Sequence, residues 1–432
     1  MRKTLQTLVI ATFASVLLMV NMSIVIGMPF VNVFRHALIS QKKTFNLILK
    51  NEKKADDIAY IQKSVATTQK QATRLAIFTR KLSTILPMRT VVLMTDSVAA
   101  ASLQLPQFLG DGKETNFVFL FLNNYELRPG GGFIGSLGFV TLKNYSIVKF
   151  EIQDVYEIDG QITAHYEPHY AVRKYLNQPN EFLRDSNFSP DFRINAQKAV
   201  QHLSYIPAYN KPYVAVIGIT TSAFEELLRL TGPIELTDYN TTVTSSNFFT
   251  TTQRKIENEF FAGSRQKRSI LQSLGNEMRQ RVDELPLLDI VEYIFTSVKT
   301  KNLVFFSLNG KMQNLFTILD SAGSQTSSYK DMIMPVDANV GVNKMDALVY
   351  KTMELQLSPG GDALTHTFKS TYTNTITADA LEKESYKNYF QLYVPVEATI
   401  KKALLDGVDV SRQIVTTEES GNTVFALYFE TP

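Results

Sequence analysis

The chain has 432 residues, 44% of them hydrophobic and 20% charged, which is ordinary globular content and long enough for two domains with a sizeable core. A formal charge of +3, from 44 basic against 41 acidic side chains, gives no global field that points to nucleic acid or to an anionic membrane surface, so partner choice must be local. No cysteine is present, which excludes disulfides, thiolate metal sites and cysteine nucleophiles, and Tyr166-Glu167-Pro168 between His165 and His169 breaks the helix that a helical zinc site would need.

From Thr4 to Phe34 there is no charged residue, and Leu8 to Ile26 is nearly all apolar, about the 20 residues that span a bilayer core. Arg2 and Lys3 precede this run, so the positive-inside rule predicts a type II single-pass anchor in the cell membrane with the bulk of the chain extracytoplasmic. The alternative is a cleaved signal peptide, but the run is longer than an ordinary h-region and Val25-Ile26-Gly27-Met28-Pro29 is an imperfect cleavage site. Residues 35 to 105 read as helix from apolar positions at three- and four-residue steps, interrupted at Pro87, and predict a stalk or helical layer.

The period then changes. Asn116 to Leu122 is a nearly continuous apolar run that suits a strand buried on both faces, followed by strands near 139–142 and 147–152. Tyr213 to Ile219 predicts another buried strand. Ser222 and Glu225 have the spacing of a capping box that opens a helix over 224–230, with Gly232 as its stop. Leu303 to Leu308 repeats strand then helix, into 312–319. Beyond Ser324 the period is two, in Leu364, His366, Phe368, Ser370 and Tyr372 and again in Phe425, Leu427 and Phe429, with turn signals at Pro359-Gly360-Gly361 and Asp406-Gly407. The expected fold class is α/β. Residues 1–34 form the cytoplasmic tip and transmembrane anchor, 35–112 a helical stalk, 113–323 a central mixed α/β/α layer domain, and 324–432 a β-rich, sandwich-like domain.

Three segments carry candidate chemistry. Asn123 to Ser136 packs four glycines and one proline into a chain with only 20 glycines, so close backbone approach or positive φ is demanded there. Free N–H groups at Gly130, Gly131 and Gly132 would form an anion-binding nest, and Arg128 would add a bidentate phosphate contact. The plain alternative is a tight turn with Arg128 paired to Glu126. Next come Asp154, Glu157 and Asp159, and then Arg184-Asp185. Asp154, Asp159 and Asp185 would hold Mg²⁺, or else cap helices and pair with Arg128 and Arg184. Third, a helix expected over 253–282 bears Arg265, Lys267 and Arg268, which would reach a pyrophosphate or serve as a solvated face.

Asn123 to Ser136, Asp154 to Asp159, Leu183 to Phe192 and Leu230 to Ile234 together resemble the bacterial domain of unknown function 4012 family. The resemblance covers roughly 118–282 and continues more weakly through 339–344 and 388–395. It implies a bacterial envelope protein with one anchor helix and supplies no activity. More remotely, the order of elements is similar to that of the LytR-CpsA-Psr transferases, which move polyprenyl-pyrophosphate-linked glycans onto the cell wall. It departs from them at Gln153-Asp154, where an arginine-aspartate pair is usual, and at Lys267, which interrupts a double glutamine.

That similarity implies glycopolymer phosphotransfer, with Arg128, Arg184, Arg265 and Arg268 on a pyrophosphate and Asp154 or Asp185 as base or metal ligand. The implied partners are the lipid bilayer and a polyprenyl-linked glycan or peptidoglycan. The competing expectation is a non-catalytic envelope scaffold or adhesion protein, in which the glycine-rich loop is structural.

Overall fold

The computed structural model describes residues 53–251, 284–325, 331–360, 363–375 and 385–432, with parts of 43–48 and 273–282. Among these residues no helix is long and apolar enough to cross a membrane, and the expected anchor within 1–34 lies outside them. The chain is a mixed α/β protein with several sheets that divides into two compact units. One comprises residues up to 122, 134–163 and 192–324. The other comprises 123–133, 164–191 and 325–432. The second unit therefore takes in two segments from the expected core domain of 113–323, because the glycine-rich loop and the 164–191 stretch find their partners there.

The first unit begins with helix α1 (Ala55–Leu82) and helix α2 (Arg89–Ser102), and the interruption expected at Pro87 falls between them. Asp56 and Asp57 in the first turn of α1, and Arg80 and Lys81 in its last, complement the helix dipole. A five-stranded sheet follows. It contains β1 (Thr115–Asn123), β2 (Phe133–Lys143), β3 (Ser146–Asp154), β4 (Tyr213–Thr220) and a strand at Leu303–Phe306, in the order β3, β2, β1, β4, 303–306. β1 and β4 run parallel, whereas β3 and the 303–306 strand are antiparallel to their neighbours.

Alternation decides which helix each strand residue meets. Phe117, Phe119, Ile217 and Phe305 share a core with Ile61, Val65 and Val98 of α1 and α2. Those two helices are therefore a layer on the sheet. The opposite parity faces the helix at Phe192–Leu203. A Cβ on Gly218 would lie 2.7 Å from Val304 Cγ2 and 2.8 Å from Phe192 Cε2, so only glycine allows that approach. Phe119 and Leu120 are both fully buried, as expected for a strand covered on each side.

After β3 comes the short helix α3 (Val155–Asp159), then α4, the helix Phe192–Leu203 just mentioned, and α5 (Thr221–Thr231). The cap of α5 is Thr220, whose side chain accepts from the Ala223 N–H, and not the expected Ser222. β4 runs straight into the helix and leaves Thr220 as its last extended residue, so the first turn starts earlier than the motif suggested. Gly232, at φ 79°, ends α5 as expected. A small hairpin, β5 (Ile234–Leu236) with β6 (Thr241–Val243), and helix α6 (Leu287–Lys299) precede β7, the 303–306 strand, and α7 (Gly310–Ile318) completes the unit.

The second unit holds an antiparallel four-stranded sheet and a long hairpin. The hairpin is β9 (Val349–Gly360) with β10 (Ala363–Asn374). The sheet consists of β8 (Met334–Val336), β11 (Tyr386–Pro395), β14 (Val415–Glu419) and β15 (Asn422–Thr431), in the order β14, β15, β11, β8. Between β11 and β14, the two-residue strands β12 (Leu404–Leu405) and β13 (Val408–Asp409) turn at Asp406-Gly407, both at positive φ. Phe368 stacks on Phe390 with centroids 6.0 Å apart, and Tyr372 meets Phe429 at 5.0 Å, so aromatic pairs lay the hairpin against the sheet.

Candidate functional site

The glycine-rich loop, Asn124 to Gly132, leaves β1 and is closed by the Phe133 N–H donating to Glu126 O at 2.9 Å. Arg128 is 2% exposed. Its guanidinium donates from Nη2 to Glu126 Oε1 at 2.8 Å, and from Nη1 to Asn339 O at 2.6 Å and to Leu127 O at 3.2 Å. A buried cation is tolerable only when paired and hydrogen-bonded, and Glu126, itself buried, supplies the charge.

Asn187 grips the same loop from the other side. Its side-chain amide donates to Gly132 O, and its backbone O accepts from Gly130 N–H at 2.9 Å. Gly131 N–H is taken by Arg128 O at 2.9 Å. Two of the three glycine N–H groups expected to form an anion nest are thus engaged within the fold. Gly132 sits at φ +141°, where an added Cβ would meet the Asn123 carbonyl carbon at 2.5 Å. The high glycine content answers both to positive φ and to backbone crowding.

A second polar cluster supports this one. Asp346 accepts from Leu127 N–H at 2.9 Å and Asn339 Nδ2 at 2.7 Å through one oxygen, and from the Tyr386 hydroxyl at 2.9 Å through the other. Asn339 N–H donates back to Leu127 O. Nearby on the chain, Asp337 accepts from Asn388 Nδ2 at 2.7 Å and the Tyr372 hydroxyl at 2.6 Å and pairs with Lys351. Arg128, Asn339, Asp346 and Asn388 thus form the polar interior that joins the loop to β11. In the sequence, Asn339 to Lys344 is only a faint extension of the family resemblance, and Asp346 lies just beyond it. The density of Asn, Gly and Asp there was the available signal.

Burial pushes the Asp346 carboxyl up to about 6, against the three donors that favour its charged form and with the help of the Asp337 charge. The folded value lies above the ordinary 3.8, so the folded state binds this proton more tightly. That contribution to stability is complete below the ordinary carboxylate value and is lost as pH rises through about 6. Between pH 4 and pH 7 the wild type is therefore expected to lose about 2–3 kcal/mol relative to Asp346→Asn. Urea unfolding midpoints of both proteins across that range check this, and parallel pH profiles would refute it.

The remaining candidates fall in both units. Asp154 and Asp159 belong to the first unit and Arg128, Arg184 and Asp185 to the second. Asp154 caps α3 by accepting from the Tyr156 N–H at 2.9 Å, and Asp159 is buried at the end of that helix. Arg184 lies over the Phe182 ring at 4.0 Å and within 3.7 Å of the buried Asp185 carboxylate. Among the described residues no group of three or more His, Cys, Asp or Glu is placed to hold a metal ion. Arg265 and Arg268, with most of the helix expected over 253–282, lie outside the described residues.

Residues 111–256 match the family described as protein of unknown function (DUF4012). The match runs from just before β1 to beyond β6 and includes the glycine-rich loop, Arg128 and Asn187. No curated protein matches the chain.

Proposed function

We propose that the protein is a membrane-tethered, extracytoplasmic component of the bacterial cell envelope whose folded part acts by binding and holding partners, not by catalysis. The tether is the uncharged run from Thr4 to Phe34 preceded by Arg2 and Lys3, and it places the two units outside the membrane. The observation that carries the non-catalytic reading is the use made of Arg128. A group that clamps a phosphate must present its donors to a ligand, whereas this guanidinium is buried and its two terminal nitrogens donate to Glu126 and two backbone carbonyls, with the buried Nε left without a partner among the described residues. The capping role of Asp154 and the placing of Arg184 beside Asp185 support the same reading.

Thermal melting of the full chain with and without a polyprenyl pyrophosphate plus Mg²⁺ tests it. The expectation is an unchanged melting temperature. A ligand at a hundred times its Kd would add about 2.7 kcal/mol. A shift of that size, abolished in Arg265→Ala/Arg268→Ala while that variant melts normally without lipid, would replace this proposal with glycan-carrier transfer of the LytR-CpsA-Psr kind.

A further inference from the structure

The pair α1 and α2 joins the core only along part of its length. The residues that pack into the core of the first unit end at Leu75 on α1 and resume at Val98 on α2. Between these positions the two helices hold each other through Thr79 and Thr95, whose hydroxyls lie 2.7 Å apart, and through Arg80 paired with Asp96. The rest of this tip presents apolar side chains to solvent. Ile77, Phe78, Leu86, Leu93 and Met94 are exposed, and Ile85 is 79% exposed.

A patch of this kind is uncommon on a soluble surface and marks something that covers it. Its electrostatic setting selects the occupant. Between Asp57 and Asp96 the chain has no acidic residue, but it has Lys63, Lys70, Arg74, Arg80, Lys81 and Arg89. Of these, Arg74, Lys81 and Arg89 stand exposed beside the apolar residues, and the pairing of Arg80 with Asp96 consumes the one acidic group at the edge. Large apolar side chains ringed by Lys and Arg, with no carboxylates among them, are complementary to an anionic bilayer surface. The apolar groups enter the acyl boundary there while the cations meet phosphate headgroups.

We propose that the α1–α2 tip is an interfacial docking surface for anionic phospholipid, a second membrane contact besides the tether. It rests on the membrane-tethered reading for the presence of a bilayer. The chain has no cysteine, so Ile85→Cys places a single thiol at the tip, and Val408→Cys, at an exposed site of the second unit, serves as a control.

Full-length protein carrying an environment-sensitive fluorophore at either site would be floated with phosphatidylglycerol-rich or phosphatidylcholine vesicles containing a brominated lipid quencher. The label at 85 is expected to shift to the blue and to be quenched, roughly two-fold or more strongly with the anionic lipid, while the label at 408 is unaffected. Arg74→Gln/Lys81→Gln/Arg89→Gln should bring the quenching down to the phosphatidylcholine level. A chain that floats with its label at 85 still in water overturns this proposal and leaves the tether standing. A chain that does not float overturns both. A blue shift without lipid quenching means that protein covers the tip, and equal quenching in both lipids removes the charge argument; either result overturns the proposal.

Discussion

Arg128→Met is expected to cost about 3–5 kcal/mol in urea unfolding, the usual penalty for removing one partner of a buried ion pair. The substitution leaves Glu126 as a buried carboxylate without its cation and strips a donor from the Asn339 and Leu127 carbonyls. The size of the effect comes from desolvation more than from Coulomb attraction. Glu126→Gln/Arg128→Met should therefore recover more than half of the loss, because it removes the stranded charge. A single variant within about 0.5 kcal/mol of wild type would mean that Arg128 is not structural, and the case against ligand binding at this residue would fall with it.

Gly132→Ala is expected to lose about 3 kcal/mol or more, because φ +141° is closed to an L side chain and the new methyl would overlap backbone atoms of Asn123 and Asn124 at 2.5–2.6 Å. Flexible side chains can yield to such a clash, but these are backbone atoms held by β1. Gly135 makes a useful control, since a Cβ there would meet nothing within 4 Å and its φ is ordinary. Gly135→Ala should lie within about 1 kcal/mol of wild type by the same measurement. Equal losses at both positions would show that the loop and the start of β2 tolerate no added methyl, independently of the geometry at Gly132.

Much of the fold could be read from periodicity because the physics behind it is local. A strand buried on both faces must be apolar throughout, and the run from Asn116 to Leu122 falls within β1. Helix ends that depend on a proline or a left-handed glycine were equally visible, at Pro87 and Gly232. The α5 cap was misplaced by two residues, since a capping box in sequence does not show that β4 feeds directly into the helix. The small hairpin of β5 and β6, at three residues per strand, is too short to carry a period.

The candidate site was harder to read for a different reason. Arg128 beside a glycine-rich loop has the same composition whether it waits for a phosphate or serves the interior of the fold. The sequence alone determined the alternatives there: phosphate clamp, or pair with Glu126. It also determined the uncharged N-terminal run and the exclusion of cysteine chemistry, which follow from residue identity. The tertiary structure alone supplies the contact of Arg128 with Asn339 and the supporting carboxylate of Asp346, because both stand more than 200 positions away in the chain. It also decided which part of α1 and α2 lies on the sheet and which is left in solvent, since burial depends on where the core ends and helical periodicity does not record that.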